Sequence, residues 1–129
     1  LSRASSSDEA LELIRKAFSS LPVTVLLYGS RARAEATALS DYDLLVVDEG
    51  GERTSPSLPQ LPARASVFRI PSQELERLAK ENSVVLAALL EGVIIVDNLG
   101  LAGRILRLRE RLLRGGAVVT RSHVRFARF

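Results

Sequence analysis

The stretch Tyr28–Val47, Y-G-S-R-A-R-A-E-A-T-A-L-S-D-Y-D-L-L-V-V, decides how this chain is read. It opens on the end of Val23–Tyr28 (VTVLLY), an apolar and β-branched run too short for a helix and suited to a buried strand. Gly29-Ser30 breaks that strand, Arg31–Ala38 reads as a short helix, and Tyr42–Val47 (YDLLVV) reads as a second buried strand. A strand thus delivers Gly29 and Ser30 to a helix N-terminus. Glycine permits close backbone approach, serine offers a hydroxyl, and the open amides of a first helical turn attract an anion. Such a turn is a cradle for phosphate. Asp41 and Asp43 stand two apart on an extended segment, so both side chains leave the same face, with Cα atoms roughly 7 Å apart. Neighbouring carboxylates raise each other's pKa unless a cation compensates. A phosphate cradle facing a carboxylate pair is the arrangement that metal-assisted phosphoryl or nucleotidyl transfer requires.

The composition narrows which cation that is. The chain has no cysteine and a single histidine, His123, which excludes disulfides, a thiol nucleophile and the usual zinc centres. A metal must then be held by carboxylates, which selects a hard ion such as Mg²⁺. No Gly-Lys-Ser/Thr follows the bend and no G-x-G-x-x-G is present, so neither a Walker A loop nor a dinucleotide fingerprint is at hand.

Working outward, Ser7-Asp8-Glu9 resembles a helix start, and Ala10, Leu11, Ile14, Ala17 and Phe18 recur at helical spacing, predicting a helix over about 8–20 that Pro22 ends. Asp48–Arg64, with its Gly and Pro clusters, reads as one long loop. Ala65–Ile70 (ASVFRI) alternates as a third strand, Pro71-Ser72 opens a helix, a further helix covers about Val84–Leu90, and Val93–Asp97 (VIIVD) is a fourth strand. In Leu101–Arg114 the stripe Leu101, Ile105, Leu108 and Leu112 runs beside Arg104, Arg107, Arg111 and Arg114, and Gly115-Gly116 ends the helix. The leucine stripe reads first as core. Ala117–Phe129 reads as a strand or arm. The order predicts an α/β (α+β) fold, a mixed sheet of about four strands with flanking helices and a basic C-terminal helix and arm. A length of 129 residues suits a single domain, its core over about 8–97 and a basic extension over 101–129.

The net charge of +3 conceals an asymmetry. Residues 101–129 hold eight Arg against Glu110 alone, a net +7, while the preceding hundred residues hold 10 basic and 14 acidic groups, a net −4. A basic end on an acidic body favours an anionic partner, with a solvated helix face as the plain alternative. The longest apolar run, Val84–Leu90, is far short of the roughly 20 residues of a membrane-spanning helix. The polar opening Leu1–Ser7 does not read as a secretory signal, so a cytoplasmic location is expected, and the missing initiator Met suggests a processed or trimmed start.

The G-S…S-D-x-D-L pattern of Gly29-Ser30 and Ser40-Asp41-Tyr42-Asp43-Leu44 resembles the signature of the DNA polymerase beta-like nucleotidyltransferase superfamily, nearest to its small stand-alone minimal nucleotidyltransferases. The likeness runs from Val23 to about Asp97. It implies that Gly29 and Ser30, with Arg33 beside them, contact the phosphates of a nucleoside triphosphate such as ATP. It also implies that Asp41 and Asp43 are catalytic residues binding Mg²⁺, with room for a two-ion site. Two departures stand out. Ala34 occupies a place where relatives usually carry a second glycine, and aligning Pro71–Leu75 with the usual helix start puts Ser66 where active relatives place a third carboxylate. Glu35, Asp48 and Glu52 are candidate substitutes, but Asp48 has the wrong strand parity and Glu52 lies in the loop, while Asp97 reads as an exposed strand end.

Two classes of function follow. One is a Mg²⁺-dependent nucleotidyltransferase acting on a hydroxyl acceptor, impaired by the Ser66 departure. The other is a non-catalytic subunit or antitoxin of the same fold, binding a helical HEPN-type protein. Nucleic acid through the Arg-rich C-terminus, with Phe126 and Phe129 for stacking, and a second copy of the chain are the remaining partner readings. His123 reads as a solvated side chain of that end.

Overall fold

Val23–Tyr28 and Tyr42–Asp48, each apolar on both faces, form strands β1 and β2 at the centre of the structure, a computed structural model that describes residues 6–32, 41–50, 59–61, 64–119 and 124–126. They pair antiparallel, Val23 opposite Asp48 and Tyr28 opposite Asp43. Strand β3, Ala65–Pro71, lies parallel to β2, and β4, Val93–Asp97, lies antiparallel to β1 with an irregularity at Val25/Leu26. The sheet order is β3-β2-β1-β4. This is the four-stranded mixed sheet with flanking helices that the sequence predicts.

Each face of the sheet carries its own core because residues alternate sides along a strand. Val25, Leu27, Tyr42, Leu44 and Val46 pack with Ile14 and Phe18 of helix α1, Ser6–Phe18. Leu26, Leu45, Val47 and Ile70 pack under helices α2, Leu75–Glu81, α3, Ser83–Glu91, and α4, Ala102–Arg114. Helix α3 starts at Asn82, whose side chain accepts from the amides of Val84 and Val85. In α4 the residues Ile105, Leu108 and Leu112 are buried, so the leucine stripe is core. Its other side leaves Leu106 and Leu113 half exposed, and Arg111 reaches Glu76 of α2 at 3.1 Å.

Three details differ from the sequence reading. The segment after β1 opens with a 3₁₀ turn over Gly29–Arg31, closed by the Ala32 amide on the Gly29 carbonyl at 3.1 Å, and residues 33–38 of the expected short helix lie outside the described residues. The C-terminal segment forms a hairpin, β5 at Ala117–Val119 and β6 at Val124–Phe126, which packs on α3. Asp97 is not an exposed strand end. Its carboxylate accepts from Thr24 Oγ1 at 2.7 Å and from the amides of Leu101 and Ala102 at 2.7 and 3.1 Å. The amides at the start of α4 lack partners within the helix, and an acid at the end of β4 satisfies them. Burial pushes the Asp97 carboxyl up, but these hydrogen bonds outweigh it and hold it below its ordinary value. Among the described residues no helix is long and apolar enough to cross a membrane.

Candidate functional site

The two central strands end together at one edge of the sheet, and there the quoted stretch folds back on itself. Tyr28 and Asp43 are directly opposed in the β1–β2 ladder, so the bend that follows Tyr28 lies beside the Asp43 side chain. Gly29 has a φ of +79°, a left-handed conformation that favours glycine, and a Cβ built on it would meet Asp43 Oδ2 at 2.5 Å. Glycine is required here twice over, by the turn and by the carboxylate seated against it. Asp43 shares strand parity with Leu45 and Val47, which places it on the face covered by α2, α3 and α4. Asp41 continues that parity one step before the strand begins. Its side chain is 58% exposed and lies 4.0 Å from Arg64 Nη1.

Charged groups surround this edge. The Tyr28 phenol is pushed above its ordinary value by burial and then by the charge of Asp43. Arg31 lays its guanidinium over the Tyr42 ring, 4.1 Å from the centroid, which holds a cation at the end of the 3₁₀ turn. From the helical layer, Glu91 at the end of α3 accepts a hydrogen bond from the Gly29 amide at 3.3 Å. That engages one of the amides expected to stand open for an anion, because α3 ends level with the bend. On the other side of β2, the parallel register sets Ser66 of β3 beside Asp43, with Ser66 exposed.

Residues 9–101 match the nucleotidyltransferase domain family, a span that contains both central strands, the bend and all of the carboxylates just described. The chain belongs to that family. It is consistent with a minimal nucleotidyltransferase of the DNA polymerase beta-like superfamily. Comparison with the curated proteins and with the solved structures found no significant match to either.

Within this nucleotidyltransferase domain, Gly29, Ser30, Asp41 and Asp43 come together at the sheet edge, while Arg33, Ala34, Glu35, Ser40 and Glu52 lie outside the described residues, as does His123. Asp48 is taken up elsewhere. It is 3% exposed, faces the opposite side of the sheet from Asp43, binds Arg69 Nε at 2.6 Å and accepts from the Gly50 amide at 2.8 Å. Among the described residues no cluster of three or more His, Cys, Asp or Glu is placed to hold a metal ion. Among the described residues, the carboxylates of Asp41, Asp43 and Glu91 lie at this edge.

Sequence reasoning missed two side chains at this edge. Arg31 lies within the quoted stretch, and its position directly after Gly-Ser is a signal available to be read. Glu91 had no such signal: an acid before Gly92 at a helix end is ordinary, and only the packing of α3 on the sheet brings it to Gly29.

Proposed function

We propose that this domain transfers a nucleoside monophosphate from a nucleoside triphosphate, with ATP as the probe substrate, to a hydroxyl acceptor in a Mg²⁺-dependent reaction. The observation that carries the reading is the seat of Asp43 on Gly29, an acidic oxygen in contact with a glycine-serine bend that no larger residue could form. In such a transfer the acceptor oxygen attacks the α-phosphorus, the bond to the bridging oxygen breaks, and pyrophosphate leaves. The acceptor's proton passes to solvent or a nearby base.

The residues suit the family's metal. Asp41 and Asp43 supply hard oxygen donors of the same strand parity, and phosphate oxygens and water complete the shell Mg²⁺ prefers. The exposed Asp41–Arg64 contact, 4.0 Å long, is worth little in water and yields readily to a divalent cation. When bound, Mg²⁺ supplies neutralisation of the polyphosphate and polarisation of the attacked phosphorus. Ser30 offers its hydroxyl to the phosphates, Arg33 adds a cation beyond the turn, and Gly29 lets the phosphates approach the backbone. Incubation with Mg²⁺ and labelled ATP, across protein and RNA acceptors, should give transfer that Asp41→Asn removes. Undiminished labelling by that variant refutes the assigned roles.

The Ser66 register favours a second reading. With a hydroxyl beside Asp43 where active relatives place a carboxylate, strand β3 offers no group to complete the metal shell and take the acceptor's proton. The chain would then be a non-catalytic subunit or antitoxin, offering a helical HEPN-type protein, or nucleic acid, the exposed Leu106, Leu113 and arginines of α4. Calorimetric titration with ATP, with and without Mg²⁺, separates the two. Metal-dependent binding supports the working pocket, and no binding under either condition supports the subunit.

A further inference from the structure

Glu91 ends α3, where the flanking backbone is held by contacts from α4 and the sheet. It closes α3 after three buried residues, Ala88, Leu89 and Leu90. The chain then turns at Gly92, where a Cβ would collide with the Ala88 carbonyl and press on Leu26 at 3.2 Å. From α4, Arg109 donates to the carbonyls of Leu89 at 2.5 Å and Gly92 at 2.7 Å, one on each side of Glu91. Burial pulls that guanidinium below its ordinary value, yet it remains a cation and suits the negative end of α3. The backbone bearing Glu91 is thereby fixed to two helices and the sheet. Its carboxylate accepts the Gly29 amide at 3.3 Å.

Gly29 is consequently gripped from two directions. Asp43 Oδ2 lies against its α-carbon from β2, and Glu91 takes its amide from α3. A glycine with a φ of +79° has a broad choice of alternative conformations, and each of them would move Ser30. We infer that Glu91 is a positioning residue of the transfer site. By holding the Gly29 amide it fixes the bend in the conformation that presents Ser30 to a nucleotide's phosphates, and it couples the α3–α4 layer to that bend. The inference rests on the proposed nucleotide reading.

The test uses the full chain with Glu91→Ala and Glu91→Gln, the latter keeping an acceptor oxygen of the same reach. Amide hydrogen exchange at Gly29 is measured by NMR, together with ATP affinity in Mg²⁺ by calorimetry and the thermal midpoint. Glu91→Ala is expected to speed Gly29 exchange about tenfold and to weaken ATP binding about tenfold, with little change in midpoint, and Glu91→Gln to restore most of both. Unchanged Gly29 exchange in Glu91→Ala overturns the inference, whatever the nucleotide does. Faster exchange with unchanged ATP affinity also overturns it, because the bend would then be held without consequence for the phosphates. Failure of the unsubstituted chain to bind ATP removes the nucleotide reading and the positioning role with it, and the exchange data, which need no nucleotide, show that the failure lies there.

Discussion

Strand β2 carries an acid near each end, and the two have opposite fates. Asp48 points toward the α1 face, is 3% exposed, and is neutralised by Arg69 at 2.6 Å and the Gly50 amide. Asp43, five residues earlier and therefore on the other face, sits at a sheet edge against a glycine bend, with a serine as its β3 neighbour. Both belong to one short apolar strand. The difference shows that a carboxylate's surroundings are set by what the adjoining strand places next to it, an arginine for Asp48 and a serine for Asp43.

The sharpest way to break this contrast is to neutralise one acid at a time. Asp43→Asn is expected to lower nucleotide transfer on the order of 10³-fold, the scale on which removal of one preorganised electrostatic group acts. Its thermal midpoint should change little, since Asn keeps the shape of Asp against the Gly29 bend. A variant that unfolds instead would place Asp43 among the structural acids. Arg69→Ala should do the reverse. It strands a buried Asp48 charge at a loss of about 3 kcal/mol, measurable by urea denaturation, with ATP affinity intact among molecules still folded.

Ser66→Asp sharpens the comparison by adding charge where the register puts a hydroxyl. The new carboxylate faces Asp43, so thermal stability should fall in chelator and recover in Mg²⁺, with transfer rising roughly tenfold, in line with the 10²–10⁴-fold reach of general acid–base catalysis. Equal stability with and without the metal would argue that no cation site exists at this edge. The smallest effect belongs to Asp97, a third kind of acid that serves α4. Asp97→Asn should lose about 1 kcal/mol near neutrality, as for other helix-capping groups. The sign with pH follows from a carboxyl held below its ordinary 3.8. Its stabilisation is complete above that value and is lost as pH falls through the lowered one, so the gap between variant and parent should close in strong acid. A gap that persists there would count against charge as the source.

Much of this molecule was legible along the chain. The four sheet strands and the two long helices stand where apolar periodicity puts them, and even spacing alone separates Asp43 from Asp48 by face. The candidate pair Asp41 and Asp43 and the Gly29-Ser30 bend were likewise readable, because a strand followed by a glycine break and a strand led by acids is a local pattern. Asp97 was misread for the opposite reason. Nothing near it in sequence reveals that Thr24, 73 residues away, will donate to it. The tight turn at Gly29–Arg31 also has distant groups, Glu91 and Asp43, closing on its glycine.

By itself the sequence determined the elements, the face each side chain takes and the membership of the nucleotidyltransferase domain family, since these depend on residues within a few positions of one another. Only the tertiary structure decided the neighbours: Arg69 for Asp48, Ser66 for Asp43, Glu91 for Gly29, and Thr24 for Asp97. Strand register and helix packing bring together groups separated by tens of residues, and the strength of a charge depends on the groups within a few ångströms of it.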